Sequence, residues 1–317
     1  MEEREGLPKI RPRSIRERKS RVRIEDFSRA QDPGLRMAPF FDHIPNILAG
    51  KTLRAIIGAV ARAHAEKRGI IWAMGAHVIK CGLSPILIDL MERGLITTLA
   101  LNGAGLIHDF EIALFGETSE DVEEGLNKGE FGMAAETGEL LNKAINDGVA
   151  AGSGIGEGVG RWLAGYGPRF RAYSLVARAY EMGIPVTVHV AIGTDIIHMH
   201  PSADGALIGE GSMRDFHRLV ASIQTLDAGG IYFNIGSAVI LPEVFLKAVS
   251  MIVNAGIPLN DYVTVDMDFI RQYRPLQNVV KRPVAGRGRG YSLTGHHELL
   301  IPLVAAGIRE EIAAGKA

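Results

Sequence analysis

Histidine, aspartate and lysine side chains that end or follow apolar runs are the first candidates for chemistry in this chain. Asp195-Ile196-Ile197-His198-Met199-His200 follows one run, Asp266 and Asp268 end another, and Thr294-Gly295-His296-His297-Glu298 opens the last helical stretch. Such residues can serve as acid/base groups or metal ligands. An H-x-H pair after a strand occurs in metal hydrolases, yet His198 and His200 would point to opposite faces if the strand continued. Lys281 sits in Asn278-Val279-Val280-Lys281-Arg282-Pro283. Buried beside a carbonyl or imine, such a lysine becomes a nucleophile. The neighbouring Gly286-Arg287-Gly288-Arg289-Gly290 reads as a flexible loop or as a clamp for phosphate or carboxylate.

Those residues need elements to place them. Ile70–Met74, Leu95–Leu101, Pro185–Ile192, Gly230–Ile235 and Tyr262–Met267 are short apolar runs, each read as a buried strand. Helical patterns separate them: KTLRAIIGAVARAHAEKRG before the first, a helix over 84–93 with Pro85 in its first turn, and a terminal helix from about Glu298. Between 117 and 148 the chain is acidic and helical, with Ser119 and Thr137 as expected N-caps. The alternation predicts an α/β fold, a Rossmann-like parallel sheet with helices on both faces. In such sheets ligands sit beyond the carboxyl ends of the strands. There the sequence places Gly75-Ala76-His77, Asn102-Gly103-Ala104-Gly105, Gly193-Thr194-Asp195 and Gly236-Ser237. These turns suit close approach of a phosphate to backbone N–H groups, and equally suit tight connections. The densest glycine cluster, residues 152–160, follows a helical stretch and has no intact G-x-G-x-x-G, so it reads as a mobile loop, a lid or a subunit contact.

Composition bounds the function. The 317 residues carry 35 Lys+Arg and 36 Asp+Glu, a net charge of -1, which argues against a globally basic nucleic-acid binder. Cys81 is the one cysteine, so the chain can hold no internal disulfide and no cysteine-based zinc site, and a reducing, cytoplasmic setting fits. No apolar run reaches the 18–20 residues needed to span a bilayer. Residues 1–23 hold nine basic and four acidic side chains. Residues 1–40 are therefore expected to be a basic, partly flexible arm ahead of a single domain over 41–317.

Three stretches resemble the deoxyhypusine synthase family: Met74-Gly75-Ala76-His77-Val78-Ile79-Lys80-Cys81-Gly82, then Leu101-Asn102-Gly103-Ala104-Gly105-Leu106-Ile107-His108-Asp109-Phe110, which is similar to the family's Thr-Ala-Gly-Gly-x-Glu-Glu-Asp, then Asn234-Ile235-Gly236-Ser237-Ala238-Val239, where the family has a triple-glycine turn. The terminal H-E-L-L-I-P-L continues the resemblance. It implies bound NAD, a homotetramer with sites at subunit interfaces, and transfer of a 4-aminobutyl group from spermidine through an imine on a lysine. By that resemblance Gly75, Ala76, His77, Asn102, Gly103, Ala104, Asp109, Asp195, Gly236, Ser237, His296 and His297 would line the cofactor. Lys281 would be the nucleophile, and His198 or His200 the acid/base group. Ile107-His108 stands where the family has Glu-Glu, and Leu241-Pro242-Glu243 where it has Lys-His-His. The implied substrate is thus a small amine other than spermidine. Two further readings stay open: a non-catalytic nucleotide-binding oligomer, and a metal-dependent hydrolase built on His198, His200, Asp268 and His296.

Overall fold

The computed structural model describes residues 37–315. Six parallel strands form one sheet in the order β3-β2-β1-β4-β5-β6: β1 Ile70–Met74, β2 Thr98–Asn102, β3 Val186–His189, β4 Ile231–Ile235, β5 Tyr262–Asp268 and β6 Gly288–Thr294. The chain runs outward from β1 to β3, returns to the other side of β1, and runs outward again to β6. Strand order therefore reverses between β1 and β4. A crevice for ligands is expected at the carboxyl ends there.

Both faces of the sheet are covered, which is why the central strands are mostly apolar. Along β4, Ile231, Phe233 and Ile235 enter one core and Tyr232 enters the other. Trp72 and Phe233 meet across strands with ring centroids 4.7 Å apart, and Tyr232 stacks on Phe245 at 3.9 Å. Such aromatic pairs add about 0.5–1.5 kcal/mol beyond area burial.

Several local expectations are corrected. The expected arm ends inside a helix, Met37–His43, so 37–40 belong to the folded part; residues 1–36 lie outside the described residues. The cluster 152–160 is not a loop. From Ile155 it is the first half of the helix Ile155–Tyr166. Its glycines admit close neighbours: a Cβ at Gly156 would stand 2.2 Å from the Val186 carbonyl oxygen, and one at Gly158 would stand 2.9 Å from Gly148 Cα. The Arg-Gly segment is likewise not a loop, since Gly288, Arg289 and Gly290 begin β6. Asp121 and Ala134 occupy the N-cap positions expected for Ser119 and Thr137. After His189 the chain leaves the sheet, and Ile196–Met199 forms a 3₁₀ turn rather than a continued strand.

Candidate functional site

Two features lie at the carboxyl ends of the strands. The first is the turn after β4. Asn234, buried at the end of β4, donates to the Ser237 carbonyl at 3.0 Å and to Asp266 Oδ1 at 2.9 Å, fixing the turn to β5. Burial pushes the Asp266 carboxyl up to about 6 against that hydrogen bond, and the Asp268 charge adds to the rise. Gly236 has φ of +62°, a left-handed conformation that favours glycine. The turn feeds the 15-residue helix Ile240–Asn254, whose N-cap Val239 makes no side-chain cap. Leu241 N–H donates to Ser237 Oγ at 3.3 Å, while the N–H groups of Ser237, Ala238, Val239 and Ile240 meet no acceptor among the described residues. Unsatisfied N–H groups at a helix start form a cradle for an anion.

Gly75 closes the other side of the switch point. Its N–H donates to the Ile235 carbonyl at 2.9 Å, and a Cβ there would stand 2.4 Å from the Gly236 carbonyl oxygen. His297 is buried against Gly236, with Nε2 3.4 Å from the Met267 carbonyl and 3.9 Å from Asp268 Oδ1. Its Nδ1 is buried with no partner among the described residues. Burial lowers the His297 pKa, so the ring is held neutral. The exposed His77 ring lies 5.7 Å from it, centroid to centroid. The structure therefore brings Gly75, Ala76, His77, Gly236, Ser237 and His297 together, with exposed His296 alongside, 3.8 Å from Glu298.

The second feature is a cavity of about 250 Å³ beyond β1, β2 and β3, walled by Lys80, Ala104, His108, Glu111, Glu120 and Asp195 among others. A hollow of about 380 Å³ lined by Ile79, Pro85, Phe170 and Tyr173 has no charged wall. Another of about 680 Å³ touches His64 and Leu95, which precede strands at the opposite end of the sheet. Neither combines charge with the strand ends.

Asp195 sits between the cavity and the helix Gly103–Phe115. A Cβ on Gly103 would stand 1.9 Å from its Oδ2. The carboxylate thus covers the positive end of that helix. Burial raises its pKa, and the nearby His198 opposes the rise. Asn102 caps the same helix, accepting from Gly105 N–H at 2.8 Å. Asn102 and Gly103 are accordingly engaged within the protein.

Four expected site residues are placed elsewhere. Asp109 is fully buried: it accepts from Ser174 Oγ at 2.5 Å, Leu175 N at 2.7 Å and Val176 N at 3.1 Å, securing the start of the helix Leu175–Glu181. Burial pushes it to about 6, against those hydrogen bonds. His198 Nδ1 accepts from Gly193 N and Asp195 N, both at 3.2 Å, and so holds its own turn. His200 lies against Gly138 and bonds the Gly132 carbonyl through Nε2 at 2.8 Å. Lys281 is exposed at the end of a π-helical turn, Leu276–Lys281. The Val279 carbonyl, two residues earlier, accepts from Thr264, four residues before the end of β5, hence roughly 13 Å below the rim at strand rise. The residues of the hydrolase reading are scattered too. Among the described residues no three His, Cys, Asp or Glu side chains gather to hold a metal.

Lys80 and Glu111 are not among the site residues expected from the sequence. Lys80 was legible as the end of the Gly75 turn. Glu111 carries a signal only beside His108, three residues earlier on the same helix face.

No protein-family profile and no curated protein matches the chain. Solved structures do match its fold. A protein of Methanococcus maripaludis S2 assigned as LOR/SDH aligns with TM-score 0.53 at 14% identity, covering 86% of this chain and 71% of that one. A protein of Entamoeba histolytica assigned as a deoxyhypusine synthase aligns with TM-score 0.52 at 14% identity, covering 88% and 95%. AgrE, in a ternary complex with ornithine and NAD+, aligns with TM-score 0.54 at 13% identity, covering 84% of this chain. The chain spans about a third (34%) of AgrE. The fold expected from the sequence is the fold these proteins share. No helix among the described residues is long and apolar enough to cross a membrane.

Proposed function

We propose that the protein is an NAD-dependent enzyme acting on a small amine. The observation that carries this reading is the charged cavity together with an uncovered helix start, both at the carboxyl ends of the strands. The cradle at Ser237–Ile240 fits the phosphates of a dinucleotide, and Nδ1 of His297, the acceptor of a neutral ring whose Nε2 faces the Met267 carbonyl, fits a ribose hydroxyl; the helix after β2 does not offer such a cradle, because Asp195 covers it. Gly75, Ala76, His77, Gly236, Ser237, His296 and His297 would hold it. A nicotinamide dinucleotide, when bound, supplies a hydride acceptor. AgrE, seen with ornithine and NAD+, is a protein of this fold that takes an amine and the dinucleotide together.

The chain's own groups then handle the amine. Glu111 stays ionised and attracts an ammonium group; Glu120 and Asp195 add to the field, and Lys80 leaves room for one carboxylate on the substrate. The resemblance to deoxyhypusine synthase extends the reading to aminoalkyl transfer through a lysine imine. Lys80 lines the cavity and Lys281 does not, so Lys80 is the lysine that reading requires.

Native mass spectrometry of the purified chain tests the proposal, followed by denaturation and analysis of what is released. A homo-oligomer, a tetramer by the resemblance, releasing NAD is the expected result. An assembly that takes up no NAD even when it is added overturns the cofactor. NAD bound with no turnover of any amine favours the non-catalytic reading.

A further inference from the structure

One wall of the cavity is a hydrogen-bond relay. His108 and Glu111 lie one turn apart on the helix Gly103–Phe115, and Thr118 follows in the next loop. His108 Nδ1 is 2.6 Å from Thr118 Oγ1. The Thr118 hydroxyl donates to Glu111 Oε2, and Thr137 donates to Glu111 Oε1 at 3.0 Å.

The proton positions follow from counting donors. An ionised carboxylate only accepts, and a hydroxyl has one proton to give. Burial pushes the Glu111 carboxyl up, but the nearby His108 and the hydrogen bonds from Thr118 and Thr137 outweigh it and hold the group below its usual range. Both threonine protons therefore go to the carboxylate. Thr118 then offers His108 only a lone pair, so Nδ1 must carry the proton. In the neutral ring the free lone pair is on Nε2. That nitrogen bonds nothing among the described residues, and its side chain lines the cavity.

We infer that His108 Nε2 accepts the proton of an ammonium substrate in this cavity, with Thr118 and Glu111 as the residues that fix its tautomer. The inference rests on the amine reading above. The N–H bond of the ammonium breaks, and its electron pair stays on the amine nitrogen. The proton bonds to Nε2, and the ring becomes an imidazolium. Glu111, 3.8 Å from Nδ1, faces the new positive charge; Lys80, Glu120 and Asp195 are the other charged groups of the wall. The freed lone pair is what imine formation at that nitrogen requires. A donor-acceptor chain ending in a carboxylate is a common way to orient a basic imidazole.

Nitrogen-15 NMR of the full chain with labelled histidine tests the relay directly, the His108 signals being identified by their loss in His108→Gln. The expected spectrum of the neutral ring has a protonated Nδ1 and an unprotonated Nε2. Thr118→Ser keeps that pattern and Thr118→Val loses it. Glu111→Gln weakens it, because a carboxamide can donate to Thr118 as well as accept from it. Adding 1,4-diaminobutane shifts the Nε2 signal in the parent chain. A proton on Nε2 in the parent chain overturns the inference, as does diamine binding by calorimetry that leaves Nε2 unmoved. An intact tautomer with no diamine bound overturns the amine reading, and the acceptor role with it, while the relay stands.

Discussion

The Asp195 carboxylate occupies the space that a side chain at Gly103 would need. Alanine normally improves a helix over glycine by about 1 kcal/mol. Here the steric conflict outweighs that gain, and Gly103→Ala is expected to destabilise the fold by about 1–3 kcal/mol. Asp195→Ala removes the obstacle at the loss of a charge–dipole contact of about 0.3–1 kcal/mol. The double variant should therefore lose less than the sum of the two single variants. Urea unfolding of all four chains measures this coupling, and simple additivity would refute the contact.

Gly236→Ala strains a backbone at φ +62° and drives a methyl group to 2.7 Å from His297 Cε1. Expected are a loss of about 1–3 kcal/mol in stability and weakened NAD binding. Calorimetric titration with NAD at a temperature where the variant remains folded separates the two effects. Unchanged affinity would remove the β4 turn from the cofactor site.

Asp215 predicts how stability responds to pH. It is buried, and its Oδ2 accepts from Gly156 N at 3.0 Å and Val188 N at 2.8 Å. Burial pushes it up to about 7, against those hydrogen bonds. A carboxyl whose folded pKa is raised favours the native state in acid; that contribution is complete below about 4 and is lost as pH rises toward about 7. Every tenfold difference in proton affinity between the folded and unfolded chains is worth about 1.4 kcal/mol. Asp215→Asn keeps an oxygen for both N–H groups and cannot ionise. Denaturant melts from pH 4 to 8 should show the variant gaining on the parent chain as pH rises. A constant difference would mean that Asp215 does not titrate in that window.

Lys80→Ala should weaken binding of L-ornithine more than that of 1,4-diaminobutane, because only the former has a carboxylate for the lysine to meet. Lys281→Ala should alter neither. The reverse pattern in titrations of the two variants would put the site elsewhere on the sheet.

The parts of the fold legible in the sequence were those decided locally. Ile70–Met74 and, but for Asn234, Ile231–Ile235 are apolar because both faces are covered, so composition alone marks them. β6 is not legible because Gly288 and Gly290 contribute no side chain: they lie against the Tyr262 and Val280 carbonyls of the preceding strand and π-helical turn. Asp109 resembled a cofactor ligand until Ser174, 65 residues later, appeared as its partner. The turns at Gly75 and Gly236 were legible as turns, but their mutual contact was not. His108 could not be ranked from sequence, since its role depends on the loop that returns Thr118 to Glu111.

The helix Ile155–Tyr166 also constrains the order in which the chain folds. It carries Gly156, Gly158, Gly160 and Gly165, each costing about 1 kcal/mol against alanine, and twelve residues are too few to hold a helix alone in water. What secures it comes from elsewhere: the Val186 backbone beneath Gly156, and Asp215, 59 residues downstream, at its first turn. It should therefore form late, after β3 and the helix Gly205–Gln224 have docked. Substitutions within it would then hasten unfolding and leave the folding rate nearly unchanged. The segment richest in glycine would be the last to settle and the first to release.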